Sequence, residues 1–210
     1  MKRFITNQIT YVPTFGLVLY LIIYSYSATK YPGGSDNFPE ATAYSFNHNL
    51  LCDTMTVLTP GGTINTAKPS AIVAHLILGF TMITFFLVLP KVLPERNTNT
   101  KRLELFGVAS MTVFLFMFTD YHNLIVTITG VLGTIAMVFF FIELRPLKNQ
   151  AFKLLSYLCF TLSIVVFIMF ESKFGYYYLP FVQKVAFGLD GLWVVWACNI
   201  VKRKNRFSVH

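Results

Sequence analysis

Charge is what this sequence has least of. Asp, Glu, Lys and Arg together make up 12% of its 210 residues, against about 25% in a soluble domain whose surface must be wetted. That shortfall excludes a free-standing soluble globule. Cysteine is also scarce: Cys52, Cys159 and Cys198 form no CxxC pair, and the last two lie in apolar runs. A disulfide framework and a zinc ribbon are thereby excluded. The chain has no P-loop and no dinucleotide fingerprint before a helix, so nucleotide-driven activity is not expected. HExxH, an HxxxH pair on one helix and a nucleophile elbow are missing too. No internal repeat or low-complexity tract stands out.

What the sequence has is apolar surface: 55% hydrophobic residues, 22 of them Phe. A spanning helix needs about 20 mostly apolar residues, and six segments approach that length: 9–28, 70–89, 103–119, 123–142, 151–170 and 178–201. The third is short and the last is long enough to tilt. The expected fold is all-α, a single domain over 1–210 built as a six-helix transmembrane bundle. The first segment could pass for a signal peptide, with Lys2 and Arg3 before it and Ser25-Tyr26-Ser27 behind. Its apolar run of nearly 20 residues exceeds the roughly 7–15 of a signal core, so it reads as a retained anchor.

The formal net charge is +8, but its placement argues against nucleic acid, which needs a basic stripe on a wetted face. Thirteen of the seventeen Lys and Arg fall at 2–3, 91–102, 145–153 and 202–206. Lys30, Lys68 and Lys173 fall in the alternate connections, and Lys184 lies inside the last segment. Such alternation is the mark of membrane topology. It places both termini in the cytoplasm, with the lipid bilayer as the chief partner.

Polar residues are therefore few and conspicuous. In FMFTDYHNLIVT, residues 116–127, the cluster TDYHN breaks an apolar stretch running from 103 to 144. That stretch is about twice a bilayer's thickness at ~1.5 Å per residue, so the chain must turn there. A tight hairpin is expected, with Asp120 capping the next helix. The outer loop, 29–69, opens and closes with the turn-rich YPGGSDNF and TPGGTINT. Between them Phe46, Leu50, Leu51, Met55 and Leu58 recur at spacings of three and four. This predicts a short amphipathic helix on the outer face, with Asn47, His48, Asn49 and Asp53 towards protein or water.

Ionisable residues inside spanning helices cost several kcal/mol and need a reason. Gln183, Ala186, Asp190 and Ala197 line one face of the sixth segment, since seven residues make almost two turns. Gly188 and Gly191 would let a neighbouring helix come close. Asp190 is either packing glue or a ligand group. Lys184 is expected to snorkel to the headgroups, or to pair with Glu171 or Asp120. His75, Asp120 and His122 fall at one depth, near His48 and Asp53. Those residue types can hold zinc or perform acid–base chemistry, although topology alone also sorts polar groups to the interface.

The combination of NHNLLCD, GGTINTAKPSA, TDYHN and YLPFVQK resembles uncharacterised six-helix bacterial integral membrane proteins, similar in turn to the broader Frag/DRAM-type proteins. The likeness implies a bacterial cytoplasmic (inner) membrane and a link to lipids, and directs attention to Asn49, Cys52, Asp53, Asn65, Asp120, His122 and Gln183. A second likeness, to alkaline ceramidase-type membrane hydrolases, rests on His75 and Asp120. The HxxxH zinc pair and seventh helix of those enzymes are missing here. A retinal protein is set aside because six helices, not seven, carry Lys184. Three functions stand as expectations. The first is binding or moving a lipid or amphipathic molecule in an outward-facing polar pocket of Asn49, Asp53, Asp120, His122, Gln183, Lys184 and Asp190. The others are a metal-dependent lipid hydrolase and a partner-binding membrane subunit.

Overall fold

A computed structural model of the chain describes residues 9–207 and is all-helical, with no strand among them beyond an isolated bridge between Leu58 and Ile64. The six helices are α1 Val12–Lys30, α2 Lys68–Val88, α3 Thr98–Phe114, α4 His122–Leu144, α5 Gln150–Ser172 and α6 Leu179–Phe207. The expected features at Lys2, Arg3 and the last three residues lie outside the described residues. Five helical stretches are long and apolar enough to cross a membrane. The exception is α3, which carries Lys101, Arg102 and Glu104 in its first turns. Proline in the first turn starts α1 and α2, where a missing N–H costs nothing. Asn97 starts α3 through a reciprocal capping box with Thr100.

Side-chain pairs fix the helix directions. Ser27 of α1 donates to Ser70 of α2 at 2.8 Å, and Gly16 of α1 faces Thr81 of α2. The two pairs are separated by eleven residues along each helix, in opposite senses, so α1 and α2 are antiparallel. The same logic aligns α2 with α3 through Phe86 against Gly107 and Leu115 against Gly79. Ser110 of α3 donates to the Thr129 carbonyl of α4 at 2.9 Å, while Asn97 and Asn99 donate to Glu143 at 2.7 Å each. The bundle thus has a loop end and a basic end.

The basic half is packed solid. Trp193 of α6 is ringed by Phe85, Phe140 and Phe152, with centroids at 5.2, 5.6 and 6.4 Å. Its indole N–H donates to Ser156 Oγ at 2.8 Å, the partner a buried indole needs. Lys204 closes the same end by donating to the carbonyls of Val92 and Leu93 at 2.6 and 3.1 Å. Towards the loop end the bundle opens, and α4 with α5 is the least closely packed consecutive pair.

Several expectations are corrected. The amphipathic helix of the outer loop is absent. Residues 41–58 form successive turns with one short 3-10 turn, Asp53–Met55. The reason is competition from Asn and Asp side chains for backbone groups. Asn49 Oδ1 accepts from Ser45 N and Asp53 Oδ2 accepts from Leu50 N. The third helix ends at Phe114 rather than 119, and the hairpin occupies 115–121. Asp120 does not cap α4, whose N-cap position is Tyr121 with no side-chain bond. Gly188 and Gly191 face open space, with nothing a Cβ would meet within 4 Å. Close helix approach occurs instead at Gly16, Gly79, Gly107 and Gly130.

A Cβ on Gly107 would sit 2.1 Å from the Phe86 ring. We expect Gly107→Leu to cost about 1–3 kcal/mol through overpacking, seen as a lower midpoint in thermal unfolding of detergent-solubilised protein. Gly188→Ala should unfold at the same temperature as the parent or slightly above it. Equal midpoints for the Gly107 variant and the parent would show that the α2–α3 contact is not tight.

Candidate functional site

A cavity of about 360 Å³ occupies the loop-end half of the bundle, and all six helices contribute to its wall. Its lining is predominantly apolar. Leu50, Leu51, Cys52 and Met55 of the outer loop form a roof, and Leu78, Phe167 and Phe187 belong to the sides. The floor follows from the sequence of α6: Asp190 lines the cavity, and Trp193, three residues on, is already in the packed core. Ser163 of α5 lines the cavity and is also exposed. The cavity thus reaches the surface beside α5, whose packing against α4 is the sparsest of the consecutive pairs.

The roof is held by a buried polar network. Asn49 is fully buried, and its amide N–H groups donate to the Gly34 carbonyl at 2.7 Å and to Asp53 Oδ2 at 2.9 Å. Asn65 Nδ2 donates to the carbonyls of Thr54 and Thr56, each at 3.0 Å. Two residues of α6 then grip the loop. Gln183 Oε1 accepts from Leu51 N at 2.9 Å. Lys184 donates to the Asn49 carbonyl and, at 3.1 Å, to the Pro180 carbonyl.

Lys184 is 8% exposed and lies over the rings of Tyr44 and Phe46. It therefore neither snorkels nor pairs with Glu171 or Asp120. The Asn49 carbonyl, brought down onto α6 by the loop, and the Pro180 carbonyl of α6 itself offer its ammonium nearer partners than the headgroups do. On α1, Tyr20 stacks on Tyr24 at 5.5 Å, and Tyr24 shares a hydroxyl contact of 3.0 Å with Tyr44.

Burial sets the protonation of the roof. It raises the Asp53 carboxyl from 3.8 to about 6, against the opposing hydrogen bonds from Asn49 and Leu50. It pushes the Cys52 thiol up to about 12, with the neighbouring Asp53 charge adding to the effect. The Tyr44 hydroxyl is likewise raised to about 12 by burial. Cys52 is thus held as a neutral thiol, an inert part of the roof.

Of the residues singled out from sequence, Asn49, Asp53, Gln183 and Lys184 are brought together, but as the clasp of the roof. His122, Gln183 and Asp190 line the cavity itself. Asp120 is exposed and does not line it. His75 is buried, with Nε2 2.8 Å from the Phe114 carbonyl and its ring 4.4 Å from that of Phe114.

Among the described residues no three His, Cys, Asp or Glu side chains come together as a metal-holding group. His75, Asp120 and His122 therefore do not fit zinc in this arrangement: one imidazole nitrogen is committed to a carbonyl and the carboxylate points elsewhere. The sequence reading missed Tyr20 and Tyr24, although their i,i+4 spacing was a usable signal. It also missed Thr129 and Ser163, for which nothing in an apolar run gives warning.

Compared with models of protein families, with curated proteins and with solved structures, the chain finds no match.

The Asp53 shift has a direction that can be measured. Its folded-state value lies above that of a free carboxyl, so the folded protein holds this proton more tightly. The corresponding stability is whole below 3.8 and is lost as pH rises through about 6. The difference in thermal midpoint between parent and Asp53→Asn should therefore change across that window and level off above it. A difference that does not vary from pH 4 to 7 would show that Asp53 is not buried by the roof.

Proposed function

We propose that this chain is a multi-pass membrane protein that binds an amphipathic molecule, a lipid or a lipid-like small molecule, inside the bundle. The observation that carries the reading is the cavity. It is apolar, about 360 Å³, roofed at one end, sealed at the other by the Trp193 core and open beside α4 and α5. An apolar pocket with a few convergent polar groups is the usual form of a small-molecule site. An opening in the wall of the bundle, rather than through its roof, suits a ligand that arrives from the bilayer. The link to lipids implied by the resemblance to Frag/DRAM-type proteins points the same way.

The charge pattern supports an orientation in which the basic end faces the cytoplasm and the roof faces outward, with both termini inside. On this reading α3 is a sixth crossing, since it runs antiparallel beside α4 from Glu143 to Thr129. The resemblance to bacterial proteins makes the membrane a bacterial cytoplasmic one, and on this orientation the cavity lies in its outer leaflet.

Native mass spectrometry of protein purified in mild detergent provides the test. The parent should carry a bound amphiphile, and Ala186→Trp, which fills the cavity from a buried position on α6, should lose it. Retention of the same species by the filled variant would exclude the cavity as the binding site. Fusing a fluorescent protein to the C-terminus checks orientation: a fluorescent fusion is expected, and a dark but full-length one would reverse the topology.

A further inference from the structure

Most polar groups around the cavity are already answered. Gln183 Oε1 takes the Leu51 N–H, His75 meets the Phe114 carbonyl, and the Tyr24 hydroxyl meets Tyr44 and the Leu51 carbonyl. Three groups are not answered in this way. Asp190 is met by two weak donors, the Cys159 thiol and the Ser163 hydroxyl at 3.5 Å, the latter at the outer limit of a hydrogen bond. His122 Nε2 and Thr129 Oγ1 are buried, line the cavity wall through α4, and have no partner.

The Asp190 carboxylate also lacks a counter-ion. Lys184, the one basic residue near it in the sequence of α6, is turned to the roof and held by the Asn49 and Pro180 carbonyls. The ion pair among the described residues is Arg96 with Glu104, at the basic end. Apolar surroundings disfavour a carboxylate that has no counter-charge. A ligand that brings the missing charge recovers that cost on binding.

We propose that the cavity takes a hydrophobic amine, its protonated nitrogen seated against Asp190 and its apolar body extending towards the α4–α5 opening. This inference rests on the cavity reading above and names the ligand class for it. An anionic headgroup would meet the like charge of Asp190, and a plain hydroxyl would leave that charge unbalanced. Aromatic faces suited to a cation lie close by in sequence. Phe187 stands one turn from Asp190 on α6, Phe167 stands one turn from Ser163 on α5, and both line the cavity. His122 Nε2 and Thr129 Oγ1, seven residues apart and so about 10 Å along α4, offer hydrogen bonds to a second polar group nearer the loop end.

The experiment uses the full chain in phosphatidylcholine nanodiscs, with empty nanodiscs subtracted. Equilibrium dialysis compares tritiated N,N-dimethyl-4-phenylbutylamine with the uncharged ether of the same length. The amine should bind saturably, with the ether weaker by about tenfold or more. Asp190→Asn should weaken the amine by a similar factor without changing the ether, and Asp190→Glu should keep most of the amine affinity. Ether binding by the Asn variant doubles as the control for folding. Equal amine affinity in parent and Asp190→Asn, or equal affinity of parent for amine and ether, would overturn the inference. If ether binding persists in both and vanishes in Ala186→Trp, the cavity reading stands and the amine falls. If neither probe binds saturably, both fall.

Discussion

Five helical stretches are long and apolar enough to cross a membrane, and in hydrocarbon no water is at hand to satisfy a stranded polar group; on the membrane reading that constraint organises this bundle. The Trp193 indole is answered by Ser156, Ser27 by Ser70, Ser110 by the Thr129 carbonyl and His75 by the Phe114 carbonyl. Each of these bonds joins two helices, so satisfying a polar group and fixing a helix pair are one event. The apolar remainder packs as a core in the basic half, around Trp193. The cavity is the exception to the rule. Its unanswered groups gather in one place, and they give it chemical character.

The outer loop obeys a related logic. Thirty-seven residues between α1 and α2, without helix beyond one 3-10 turn, would be a poor cover if left to water. Asn49 and Asn65 turn them into a folded piece by acting as substitutes for strand partners, each collecting several backbone groups. Tyr31, Tyr44 and Tyr24 pack edge to face beneath them. Lys184 completes the arrangement from α6. A buried ammonium on loop carbonyls is costly to desolvate, but here it has two carbonyl acceptors and two aromatic faces. The loop is thereby tied to the same helix that supplies the cavity floor.

The helices were legible because long apolar runs are written in composition, a signal that does not depend on tertiary context. Their ends were less so. Phe116 and Phe118 look as helical as Phe114, yet the chain leaves the helix at 114 because it must begin to turn. The outer loop misled for a sharper reason. Phe46, Leu50, Leu51 and Met55 do have helical spacing, but periodicity says nothing of side chains that bid for the backbone, as Asn49 and Asp53 do. The importance of Asn49, Gln183 and Asp190 could be read from their improbable polarity. Their division into a clasp and a floor could not, since it depends on how far the loop folds down over α6. Lys184 shows the limit most plainly: its length suggested escape to the surface, while its loop partner, the Asn49 carbonyl, lay more than a hundred residues away.

At 29 residues α6 is about 44 Å long, well beyond the ~30 Å of a hydrocarbon core. It is pinned near one end by Gln183 and Lys184 to the roof, and near the other by Lys204 to the carbonyls that follow α2. A rod anchored at both ends acts as a strut and sets the height of the whole assembly. Any tilt that widens the chamber around Asp190 must also pull on the Val92–Leu93 corner some four turns below. On the proposed reading, a ligand seated at the loop end would thereby be mechanically legible at the basic end.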